Sequence, residues 1–142
     1  MTEKFLKAQE SLYSGYEQAL SEIRNGRKVS HWIWYIFPQL KALSKSNTAY
    51  YYGIEDLEEA KAYLQHPVLR ARLLEISQAL LDLHQSDPLP VMGSSIDVKK
   101  LRSSMTLFRE AEPELTVFQK VLDQFYHGEP DGKTLKLLKK SP

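Results

Sequence analysis

Asp97, Lys100, Ser103 and Ser104 place a carboxylate, an ammonium and two hydroxyls within one short stretch. On a helix, at about 100° per residue, Asp97, Lys100 and Ser104 fall along one border of an apolar stripe formed by Val98, Leu101, Met105 and Phe108. Polar groups bordering a buried face can line the mouth of a pocket, and hydroxyls dense beside a lysine suit a phosphate group. The plainer alternative is an ordinary Asp97–Lys100 ion pair, worth about 0.2–0.5 kcal/mol, with the serines bonded to carbonyls of the preceding turn.

A second constellation is SHWIWYIFPQL at 30–40, which gathers Trp32, Trp34, Tyr35 and Phe37 between His31 and Gln39. These rings, with Tyr50-Tyr51-Tyr52, suit either the densest part of a core or the wall of a pocket. Indole N–H, phenol O–H, His31 and Gln39 all need hydrogen-bond partners when buried, and a ligand can supply them. An aromatic wall of this kind can stack a purine, pyrimidine or nicotinamide ring.

The two constellations together predict a cleft for a small anionic, ring-bearing metabolite such as a nucleotide or ADP-ribose derivative. In it Trp32 and Trp34 stack or enclose, His31 and Gln39 hydrogen-bond, and Lys100 with Ser103 and Ser104 holds phosphate. An enzymatic version adds hydrolysis or transfer at an N-glycosidic or phosphate bond, with Asp97 or His31 as acid or base. The alternative is a non-enzymatic adaptor domain in which exposed Trp32, Tyr35 and Tyr51 anchor a partner protein.

Several chemistries are excluded or disfavoured. The chain has no Cys, so disulfides, thiolate metal sites and a cysteine nucleophile are ruled out. None of the four His has metal-ligand spacing, and no metal or other cofactor is expected. A Ser104, His31 and Asp97 triad can be composed on paper but lacks a nucleophile-elbow motif. No glycine-rich nucleotide loop is present; Gly93-Ser94-Ser95 is a weak candidate anion seat before a helix. A formal charge of +1 gives no general attraction to nucleic acid or membrane, and nothing approaches a membrane span or signal peptide, so a soluble cytoplasmic protein is expected.

The elements that must position these residues are mostly helical. Phe5, Leu6, Leu12, Tyr13, Tyr16 and Leu20 predict one amphipathic helix ending near Gly26. Asp56 with Glu59 opens a second that ends before Pro67, and Pro67 starts a long third through Leu83, broken by QSDPLP. Further helices are predicted from about Ile96 to Phe108, from Pro113 to near Gly128, and after Asp131, where Lys136, Lys139 and Lys140 sit at a solvated helix end. The aromatic segment at 31–40 fits a buried strand or a short helix. The prediction is a single all-α domain over 1–142 with about seven helices.

HWIWYIFPQL at 31–40, EAKAYLQHPVLRARL at 59–73 and DVKKLRSSMTLF at 97–108, in this order, resemble the domain of unknown function 1810 family of bacterial and fungal proteins. Ala8-Gln9 and VLDQFYHGEPD at 121–131 extend the resemblance over nearly the whole chain. Where members usually carry GLG before a Ser, this chain reads Lys41-Ala42-Leu43-Ser44. The resemblance implies one mostly helical domain and no assigned reaction. Some members carry the label calpastatin, but an inhibitor of that type is expected to be disordered and poor in aromatics, whereas this chain reads as globular.

Overall fold

The computed structural model describes residues 2–140. Its helices are α1 (Glu3–Gln9), α2 (Tyr16–Arg24), α3 (Ile33–Ile36), α4 (Asn47–Tyr51), α5 (Leu57–Gln65), α6 (Pro67–Leu81), α7 (Pro88–Met92), α8 (Ser95–Ala111), α9 (Val117–Tyr126) and α10 (Gly132–Lys140), with a 3-10 turn at Lys41–Leu43. The architecture is all-α, and among the described residues the only strand-like pairing is an isolated parallel bridge between Leu40 and Ile54. No described helix is long and apolar enough to cross a membrane.

Three local features raise the helix number above the seven expected. First, the opening helix is two. Between α1 and α2 the Ser11 hydroxyl donates to the Tyr13 carbonyl and accepts from the Tyr13 N–H, while Ser14 adopts φ 56° and donates its N–H to Gln18. Serine side chains compete here with helical hydrogen bonds, and Gly15 packs so tightly that a Cβ would lie 2.1 Å from the Ser11 carbonyl oxygen. Leu12 and Tyr13, counted in the apolar stripe, are instead 90% and 83% exposed.

Second, α4 forms behind an N-cap in which Ser46 Oγ accepts from the Ala49 N–H. Third, QSDPLP does not only break α6: Asp87 caps α7, with Pro88 and Pro90 in a first turn where a missing N–H costs nothing. The last long helix before α10 starts later than expected: Pro113 lies in a turn and α9 begins at Val117 behind Thr116. The remaining boundaries follow the expected signals. Asp56 Oδ1 accepts from Glu59 N–H ahead of α5, Ser94 Oγ from Asp97 N–H ahead of α8, and Asp131 Oδ2 from Thr134 N–H in α10. Lys136 and Lys139 are exposed; the side chain of Lys140 lies outside the described residues.

Helix α8 is the centre of the molecule, packed against α9, α5, α7, α10 and α3. Leu101, Met105, Leu107 and Phe108 are all fully buried, so its C-terminal half is covered on every side, as expected for a helix running through a core. The aromatic segment resolves as the short helix α3 followed by an extended run to Leu40. That run is pinned by hydrogen bonds from Ile54 N–H to the Gln39 carbonyl and from Lys41 N–H to the Ile54 carbonyl.

Candidate functional site

The chain between α2 and α3 is fastened by two charged side chains, Glu22 holding it to α2 and Lys28 to α8. Glu22 accepts hydrogen bonds from the N–H groups of Val29 and Ser30, from the Ser30 hydroxyl and from Trp32 Nε1. Burial alone would raise its pKa; the hydrogen bonds from Ser30, Val29 and Trp32 outweigh that and hold it down to about 2. Lys28 donates its backbone N–H to the Val91 carbonyl and its ammonium to the Ser30 carbonyl, and the ammonium lies 5.0 Å from the Trp32 ring centre.

That ammonium also meets Asp97 Oδ2 at 2.9 Å, with the two side chains only 6% and 14% exposed. The expected Asp97–Lys100 pair is therefore replaced: Asp97 turns to Lys28, from a segment far away in sequence. A buried pair of this kind is costly to break by removing one partner, because the other charge is left desolvated.

Lys100 has a different neighbour. Its Nζ lies 5.6 Å from the centre of the Trp34 ring, and both side chains are half-buried. The other half-buried lysines all have an oxygen partner: Lys4 at the Tyr51 carbonyl, Lys28 at Asp97, Lys41 at Glu55 and Lys61 at Glu58. Among the described residues Lys100 has none, and its charge faces only the indole.

The hydroxyl run divides. Ser103 donates to the Lys99 carbonyl and Thr106 to the Arg102 carbonyl, the back-bonding that helical Ser and Thr commonly adopt. Thr106 also accepts from the Asp131 N–H, tying α10 to α8. Ser104 is fully buried, and its hydroxyl has no hydrogen-bond partner. It lies one turn beyond Lys100 on the same face of α8.

Of the residues singled out by sequence, Trp34 and Lys100 come into direct contact. Trp32 is fully buried with its N–H satisfied by Glu22, and Tyr35 is buried with its hydroxyl on the Ser14 carbonyl, so neither is an exposed anchor for a partner protein. Tyr51 is exposed. His31 is exposed beside this segment, and Gln39 is half-buried with its backbone carbonyl engaged by the Ile54 N–H. Lys28 and Glu22 escaped sequence reasoning because each contacts partners that no helical spacing links to it.

Two surface grooves lie elsewhere, on either side of Asp82 near the end of α6: one of about 240 Å³ beside Arg24 and Glu75, the other of about 470 Å³ beside Lys120 and Asp123. None of the residues singled out by sequence lines either groove. No three His, Asp or Glu side chains among the described residues gather as a metal site.

The fold and this surface define an all-α domain built on one buried helix, with an unpaired lysine facing an indole at its edge. The chain belongs to the DUF1810 family, described as a protein of unknown function, whose model matches residues 1–138. It is similar to the conserved hypothetical protein Rv1873 from Mycobacterium tuberculosis, with 39% identity, a TM-score of 0.90, and coverage of 96% of this chain and 95% of that one. No curated protein matches it.

Proposed function

We propose that the Trp34–Lys100 surface binds a small anionic ligand carrying an aromatic ring, of the nucleotide or ADP-ribose class. The observation that carries this reading is the ammonium of Lys100, a half-buried residue, which has an indole beside it and no oxygen partner among the described residues. A cation with no protein carboxylate gains from an anion that neutralises it, and the indole offers a surface for a ring.

In this reading Lys100 takes the phosphate and Trp34 the ring; the Ser104 hydroxyl is enclosed, and Ser103 donates to a ligand only by giving up its bond to the Lys99 carbonyl. His31 and Gln39, on the segment that carries Trp34, are the candidates for bonding sugar or base. Hydrolysis or transfer at an N-glycosidic or phosphate bond would fall to His31, which is exposed, and not to Asp97, whose carboxylate is held by Lys28.

Thermal unfolding in the presence of adenosine monophosphate, ADP-ribose and inorganic phosphate tests the proposal. A ligand at one hundred times its Kd stabilises the fold by about 2.7 kcal/mol. The expected result is a shift with the ring-bearing anions that is lost in Lys100→Ala and Trp34→Leu. No shift with any of the three, or an equal shift in both variants, overturns it.

A further inference from the structure

Asp97 and Lys100 lie three residues apart on α8, a spacing at which opposite charges on a helix meet readily. They do not pair here, because the Asp97 carboxylate is taken by Lys28 at 2.9 Å. Lys28 is itself held in place by three further contacts: its N–H to the Val91 carbonyl, its ammonium to the Ser30 carbonyl, and the Trp32 ring beneath it. The segment carrying Lys28 is fastened in turn by Glu22.

We infer that Lys28 is a positioning residue for the anion-binding surface: by holding the Asp97 carboxylate in a buried ion pair, it keeps Lys100 free of a carboxylate and available to a ligand. This rests on the function proposed above for Trp34 and Lys100. Without Lys28, Asp97 is a poorly solvated carboxylate for which Lys100 is the one lysine of α8 at a facing spacing, Lys99 lying two residues on, and turning toward Lys100 is its nearest compensation. Lys100 would then leave the Trp34 ring, and the surface would lose both its positive charge and its cation–indole contact. A ligand anion would have to displace an internal carboxylate before binding.

The test uses the full chain with Lys28→Met, Lys28→Arg and the double variant Lys28→Met/Asp97→Asn. Adenosine monophosphate affinity is measured by calorimetry, and the Lys100 ε-methylene protons are followed by NMR, where the Trp34 ring current marks their position without any ligand. Lys28→Met should weaken adenosine monophosphate binding about tenfold or more and remove the ring-current shift. Lys28→Arg, which keeps a cation on Asp97, should preserve both, and the double variant, which removes the stray carboxylate, should restore both.

Unchanged affinity and an unchanged Lys100 resonance in Lys28→Met overturn the inference, as does a double variant that recovers neither. If Lys28→Met does not fold, the double and arginine variants decide it, because loss of the ring-current shift in either contradicts the proposed role. If the unaltered protein binds no adenosine monophosphate, the proposed ligand fails, while the NMR shifts still report whether Lys28 keeps Lys100 on Trp34. A merely structural Lys28 would lower the melting temperature without moving the Lys100 resonance and without rescue by Asp97→Asn.

Discussion

The indole N–H of Trp32 donates to Glu22 Oε1 at 2.9 Å, so the largest fully buried side chain of the protein is fixed to the carboxylate that also holds the backbone of Val29 and Ser30. One acidic residue thereby orients the strap that brings Lys28 to α8. Glu22→Gln keeps the shape but loses charge-assisted acceptance, and it should cost about 2 kcal/mol in urea unfolding at neutral pH. The folded pKa of Glu22, about 2, lies below the ordinary value of 4.5. Its contribution is therefore complete above about pH 4.5 and disappears as pH falls toward 2. The gap between the two proteins should close over that window; a gap independent of pH would show that ionisation of Glu22 does not matter.

The two tryptophans differ in environment, and their fluorescence should separate them. Trp34→Phe leaves only Trp32, which is fully buried and should resist acrylamide quenching. Trp32→Phe leaves Trp34, half-buried beside Lys100, which should be quenched more readily and should respond to adenosine monophosphate. Equal quenching in both variants would contradict this placement.

Ser104→Ala should raise stability by about 1 kcal/mol, the opposite of most core substitutions, because it removes a buried hydroxyl that no group satisfies. Chemical denaturation reads the effect, and a loss of stability would contradict an unsatisfied hydroxyl at Ser104.

Gly53 stands where two chain segments nearly touch: a Cβ there would lie 2.4 Å from the Cα of Lys41. The hydrogen bonds of Ile54 to Gln39 and Lys41 hold this approach, so the backbone has little room to retreat. Gly53→Ala should cost about 1–3 kcal/mol, measured as a lower urea midpoint, by forcing the Leu40–Ile54 bridge apart. An unchanged midpoint would mean that the loop yields freely.

Much of the fold was legible locally. Pro67, Asp56 with Glu59, and Asp131 mark helix starts because capping and the proline restriction act within a few residues, and the structure uses each in that way. The Leu12–Tyr13 region misled because a three-and-four apolar spacing carries no record of whether a neighbour exists to cover it; the Ser11 and Ser14 contacts ended the helix instead. In the candidate site, the helix register of Asp97, Lys100 and Ser104 was readable, but the choice of partner was not. Asp97 could pair with a lysine three residues away or with any cation the fold delivered.

The amino-acid sequence by itself determined an all-α chain, the ends of its main helices and the concentration of rings at 31–40, since propensity, capping and composition are short-range properties. Only the tertiary structure decided that Trp32 belongs to the core while Trp34 meets Lys100 at the edge, and that Lys28 takes Asp97 away from Lys100. The reason is physical: burial and charge pairing depend on which distant segments share a low-dielectric space, and that is set by how the helices pack around α8.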